Sequence, residues 1–193
     1  PVKVRRILES HGLKAAIVNL NTKGEEVFRF GSFSSPNPRA RRAAVDMLKT
    51  AMDAAAALGC NQVTTAQLTD GADYPFELDY LRAWTDAVEG VREAASHRGD
   101  VRVCLEYKLS EPRGHCLLGS AGKMAAFCEQ VALPNVGVTL DVGHALQCGE
   151  VPADSLAFLS AMNRLFYVHI NDNFRNWDWD MVPGTVNLWD YIE

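Results

Sequence analysis

Five apolar, β-branched runs are separated in this chain by helical patterns without exception, and that alternation limits the fold more than anything else. The runs are LKAAIVNL (Leu13 to Leu20), QVTTAQL (Gln62 to Leu68), VRVCLEY (Val101 to Tyr107), VGVTLD (Val136 to Asp141) and LFYVHI (Leu165 to Ile170). Each reads as a strand. Between them, apolar positions three and four apart predict helices over Pro38 to Leu58, Asp79 to Ser96, Gly122 to Val131 and Ala153 to Asn163. Pro38 and Pro152 stand at or just before helix starts, and Gly12, Gly59 and Gly99 follow helical stretches as caps would. Strand and helix taking turns specify an α/β fold with parallel strands.

Within that class the choice lies between an open doubly wound sheet and a (β/α)8 barrel. No GxGxxG follows the first run, so a dinucleotide fold has no support. Polar residues gather instead where several strands end: Asn19, Asn21, Asp70, Glu106, Lys108, Asp141, His144 and His169. A TIM barrel keeps its active site at that end of its strands. Only five strand patterns are present. The chain has no initiator Met, opens on what reads as the last turns of a helix (Val2 to Ser10) and stops in another helical pattern at NLWDYIE. The expectation is a partial TIM barrel of about five βα units, one domain over residues 1–193, cut from a longer protein.

Composition narrows the function. The 193 residues are 48% hydrophobic and 22% charged, which suits a folded globule, and the net charge is -5. A nucleic-acid or anionic-membrane partner is disfavoured, because phosphate binding needs concentrated Lys and Arg. The one basic cluster, Arg39, Arg41 and Arg42, is diluted by the acids after it. No signal peptide or membrane-span pattern is present, so a soluble, cytoplasmic protein is expected. Five cysteines without CxxC spacing fit reduced thiols.

The chemistry concentrates in LEYKLSEPR, Leu105 to Arg113. Glu106 and Lys108 are two apart on a strand and share a face. A surface ion pair at a strand end is the plain alternative, and the later strands argue against it. Asp141 and His169 end the next two, at spacings of 35 and 28 residues, against about 31 when some 250 residues make eight units. Neighbouring strands lie about 4.8 Å apart, so Glu106, Asp141 and His169 are expected to converge on one ion. Carboxylates and imidazole without thiolate suit Mn, then Mg or Co, with Zn allowed. His144 follows Asp141 in DVGH, and Asp178 and Asp180 form a same-facing pair in NWDWDM. Trp177 and Trp179 are expected to bury surface and exclude water around that pair. The two clusters together offer room for two metals. TDGADYPFELDY adds Asp70, Tyr74 and Phe76, whose aromatics either stack on a ligand face or close the core.

EYKLSEPR, LDVGHA and HINDN…WDWDMVPGT resemble the xylose isomerase-like family of sugar isomerases and epimerases, TIM barrels that use divalent metals. The resemblance implies structural-metal ligands at Glu106, Asp141 and His169, and a catalytic metal on His144, Asp178 and Asp180. Lys108 would face the substrate's carbonyl end, so Lys108, Glu106 and His144 are the catalytic candidates. Asp70, Tyr74, Phe76, Arg113 and Trp177 are the substrate-binding ones. The same resemblance implies a cis peptide between Glu111 and Pro112. It also makes these strands the third to seventh of the barrel, with a further metal carboxylate on the eighth, so this piece alone is expected to be inactive.

Asp141 and His169 stand where xylose isomerases have Glu and Asp, which moves the likeness towards the L-rhamnose isomerase and tagatose 3-epimerase branches. Lys108 and the Asp178/Asp180 pair point to an aldose–ketose isomerase. A ketose 3-epimerase is the alternative. A metal nuclease of the endonuclease IV type shares DxxH and HxND, but the net charge opposes it. A barrel piece without catalysis is the remaining reading. The expected partner is a small sugar, and a homo-oligomer is compatible with everything above.

Overall fold

Asn37, Asp79, Ser120 and Asp141 each accept a backbone N–H with the side chain, from Arg39, Arg82, Lys123 and His144, and each starts a helix by doing so. In a computed structural model describing residues 1–193, the chain runs α1 (Val2–Ser10), β1 (Val18–Asn19), a 3-10 turn (Glu26–Phe28), α2 (Pro38–Leu58), β2 (Gln62–Ala66) and β3 (Gly71–Ala72). It continues through α3 (Tyr80–Ala95), β4 (Arg102–Glu106), β5 (His115–Cys116), α4 (Ala121–Val131) and β6 (Val136–Asp141). The remainder is α5 (Val142–Gln147), α6 (Pro152–Ala161), β7 (Leu165–His169) and α7 (Leu188–Ile192). Pro38 and Pro152 occupy first helical positions, where the missing N–H costs nothing.

The boundaries depart from the sequence pattern where the backbone explains it. β1 is far shorter than Leu13 to Leu20: only Val18 and Asn19 pair with β2, opposite Val63 and Thr64. Gly59 caps α2 at φ +80°, a left-handed conformation that suits glycine. α3 instead ends on Ser96 in a right-handed conformation, so Gly99 caps nothing. Asn163, at φ +55°, lies beyond the end of α6.

β1, β2, β4, β6 and β7 form one parallel sheet in that order, each strand beside its predecessor, while β3 and β5 make a small antiparallel pair. This is a partial (β/α)8 barrel. On its outer face Val63, Val103, Leu105, Val138 and Leu140 are buried, in one core with Leu48, Met52, Val91, Met124 and Phe127 from the helices. Each such side chain contributes roughly 1.5–3 kcal/mol. Tyr107 ties this layer together, donating to Glu150 Oε2 at 2.7 Å, while Ser155 donates to the same oxygen and the Ala121 N–H to Oε1.

The inner face is polar towards the top. Thr64 lies beside Cys104 and Glu106 beside Thr139, and the Thr64 and Thr139 hydroxyls meet at 3.1 Å. Between β6 and β7 the register shifts at a bulge: Val138 is opposite Leu165 but Thr139 is opposite Tyr167, leaving Phe166 unpaired and Asp141 opposite His169. Phe166 lies against Gly137, where a Cβ would come 2.5 Å from its ring, and Arg102 stacks over that ring at 5.0 Å. All five cysteines are free, and burial pushes the inward-facing Cys104 thiol up to about 12.

Candidate metal centre

Three strand ends and one short helix bring Glu106, Asp141, His144 and His169 to one place. Asp141 ends β6 and caps α5 through the His144 N–H at 3.0 Å, which returns the His144 ring to the strand ends. One ligand atom each from Glu106, Asp141 and His144 lies within 4.8 Å of the others. His169 Nδ1 is 3.3 Å from Glu106 Oε1 and 3.6 Å from Asp141 Oδ2. The two clusters expected from the sequence therefore merge, with His144 facing Glu106 as closely as His169 does.

These groups suit a divalent cation. His144 Nδ1 is buried and makes no aligned hydrogen bond, although Glu106 Oε1 is 3.3 Å away, and Asp178 Oδ1 is likewise buried without a partner. Burial alone would lower the His144 pKa, but its bond to Asp178 and the fields of Asp141 and Glu106 outweigh that and raise it. The His169 pKa is raised chiefly by its bond to Glu106. Burial raises Asp141, and the nearby Glu106 charge adds to the rise, against the opposing pull of His144 and Asn171. A cation placed among them relieves this crowding of negative charge.

Lys108 is 3% exposed, with Nζ 2.6 Å from Glu111 Oε2 and 2.9 Å from Asp178 Oδ2. The same Asp178 oxygen is 3.2 Å from His144 Nε2. His144 and then Lys108 hold the Asp178 carboxyl far below its ordinary range in spite of burial. Glu106 and Lys108 thus share an interior face, and the peptide between Glu111 and Pro112 is cis.

The model of the xylose isomerase-like TIM barrel family matches residues 2–190. The chain belongs to this family. It is 27% identical over 192 residues to a xylose isomerase of Thermus thermophilus, covering 96% of this chain and 50% of that protein. Its fold is similar to a D-tagatose 3-epimerase-like protein (TM-score 0.74, 18% identity, 91% of this chain and 62% of the other). It is similar also to the IOLI protein with a bound zinc atom (TM-score 0.72, 17% identity, 98% and 66%). The chain thus spans about half the length of the curated xylose isomerase.

Other sequence candidates of this xylose isomerase-like chain fall elsewhere. Asp180 is exposed at φ +48° and forms no ion pair within 4 Å, yet its charge adds to the rise in the His169 pKa, so it stands at the edge of the centre and not paired with Asp178. Trp177 and Trp179 are about half exposed and do not seal the pair from water; Trp179 packs edge-on against Phe174. Tyr74 and Phe76 are exposed, not core. Asp70 is buried and accepts from the Ser32 and Ser34 N–H groups at 2.9 and 2.6 Å, which ties a loop down and keeps it from the centre. Arg113 is buried and engaged with Gly71 O, Asp73 and Glu77.

Three residues at the site lie in the quoted motifs but were not among the site candidates. Asn171 donates to both Asp141 oxygens, and Glu111 holds Lys108. Asp172 accepts from Val186 and Asn187 N–H and pairs through its backbone with Met181, closing the base of the loop that carries Asp178. The polar run HINDN was the available hint.

Proposed function

We propose that the chain carries most of the catalytic centre of a divalent-metal-dependent sugar isomerase that interconverts an aldose and a ketose. The observation that carries this reading is a buried ammonium, Lys108, held by Glu111 and Asp178 beside Glu106, Asp141, His144 and His169. A structural ion pair does not need four further metal-type donors around it.

Glu106, Asp141, His144 and His169 would hold the ion, with Asp178 the carboxylate nearest a second. The oxygen-rich set favours Mn, Mg or Co, and Zn is compatible with the imidazoles. When bound, the metal polarises the sugar's carbonyl and neighbouring hydroxyl oxygens. Lys108 donates to the oxygen that gains negative charge as the carbonyl moves along the sugar, and its burial strengthens that interaction. Asp178 fixes one His144 nitrogen and leaves the other for the ion. Tyr74, Phe76 and Trp177, exposed near the mouth, supply faces for the sugar ring. Five free thiols fit a cytoplasmic setting. No helix is long and apolar enough to cross a membrane.

A ketose 3-epimerase is the second reading, supported by the fold shared with the D-tagatose 3-epimerase-like protein. Epimerases of this family rely on paired glutamates around one metal, whereas Lys108 and Asp178 occupy the centre here. A nuclease is opposed by the net charge of -5. Aldose–ketose interconversion by the full-length protein with Mn, Mg and Co, run beside a 3-epimerisation assay, tests the proposal. Epimerisation alone would transfer the assignment to the second reading.

A further inference from the structure

β7 ends at His169, so the Asn171 backbone lies beyond the last paired residue of the parallel sheet. Its placement still matters, because the Asn171 amide bonds both Asp141 oxygens and leaves the chain in a direction set by the peptide that follows. That peptide is held at both ends. Its N–H, on Asp172, donates to Met181 O at 2.9 Å, and its C=O, on Asn171, accepts from the Tyr191 hydroxyl. A peptide is planar, so gripping both groups fixes the backbone torsion on either side of it.

Tyr191 lies on α7, a helix without a buried residue that exposes Leu188, Trp189 and Ile192. Apolar packing gives this helix little hold. Polar contacts fasten it instead: the Asn187 amide donates to Asp172 Oδ1 at 2.6 Å and to Asn173 O at 2.7 Å, and Arg175 donates to Asn187 Oδ1 at 3.0 Å and Asp190 Oδ2 at 2.8 Å. The Tyr191 ring packs against the edge of the core, a place that phenylalanine would fill equally well. Only the hydroxyl reaches the metal side.

We propose that Tyr191 is a positioning residue of the metal centre, its hydroxyl fixing the Asn171–Asp172 peptide so that Asn171 keeps Asp141 turned towards the ion. Asp141 also caps α5 through the His144 N–H, so a rotation of its carboxylate disturbs the His144 ring as well. The inference rests on the metal-centre reading of these residues.

Mn titration of the full-length protein by calorimetry, with no sugar present, tests it without turnover. Tyr191→Phe should weaken Mn binding about tenfold, the lower end of what outer contacts to ligands contribute. Its melting temperature in EDTA should fall by no more than about 4 °C, as one lost hydrogen bond would give. Asn171→Ala should weaken Mn binding by itself, and adding Tyr191→Phe to it should change the affinity no further, since no amide remains to be positioned. Wild-type Mn affinity in Tyr191→Phe would overturn the proposal, and so would losses that multiply in the double variant, which belong to a hydroxyl acting on the fold at large. A wild-type protein that takes up no Mn, Mg or Co would overturn the metal-centre reading together with this one; normal uptake that Tyr191→Phe leaves untouched would overturn this one alone.

Discussion

Asn171 Nδ2 lies 2.9 and 2.8 Å from the two carboxylate oxygens of Asp141, so one amide fixes the orientation of the carboxylate at the middle of the site. The pairing works because residue 143 is glycine: a Cβ there would come 1.9 Å from Asn171 Oδ1. Gly143→Ala should cost about 1–3 kcal/mol through overpacking and lower metal affinity roughly 10–100-fold. Asn171→Ala in the same chain should recover stability while affinity stays low. Thermal melts and Mn titrations of both single variants and the double variant check this, and additive losses would contradict the contact.

Lys108→Met should leave metal binding nearly intact while turnover falls by about 10²–10³, far more than sugar affinity, because the amine acts on charge that develops at the transition state. Full isomerisation by this variant would end the isomerase reading.

Asp141→Asn should lose the metal, since a neutral amide replaces an anionic ligand and the Asn171 amide then faces a donor. Metal content after dialysis is the measurement, and wild-type retention would remove Asp141 from the ligand set.

Stability should depend on pH with opposite signs in the chelated and metal-loaded protein. His144 and His169 have pKa values raised above 6.5 in the folded chain. Their protonated forms therefore stabilise the metal-free fold fully below that value, and this stabilisation is lost as pH rises through the raised values. Metal binding requires neutral rings and strengthens over the same range. Melting in EDTA should be lower at about pH 8.5 than at about pH 6, and the increment on adding Mn should be larger at the higher pH. Equal increments would show that the imidazoles are not ligands.

Glu150→Ala should destabilise the fold by about 2–4 kcal/mol while barely changing metal affinity, because Glu150 holds Tyr107, Ser155 and the α4 start on the outer face. Denaturant unfolding and metal titration on one preparation separate the two effects.

Strand ends were legible in the sequence because side-chain parity places Glu106, Asp141 and His169 on one face once the strands are known. Long helices were legible too, since Pro38 to Leu58 carries many turns of a periodic pattern. α5 was hidden because six residues give no periodicity, and with it went the merger of His144 into the first cluster. Spacing in WDWD suggested a matched pair, but parity holds only for extended backbone, and Asp180 is at φ +48°. The Asp70 carboxylate looked like a substrate-binding group because its partners, Ser32 and Ser34, lie 38 and 36 residues away in the chain, beyond the reach of any local pattern.

The bulge at Phe166 also makes the site depend on a count of residues. Had β7 continued in the register of Val138 and Leu165, Val168 would stand opposite Asp141 and His169 would point to the helical layer. Flattening the bulge with every residue retained would swap an imidazole for an isopropyl group beside Asp141, whereas deletion of Phe166 would keep His169 opposite Asp141. A slip of one residue in pairing, with no change in chain length, is all that separates a metal-binding sheet from one that only keeps the shape.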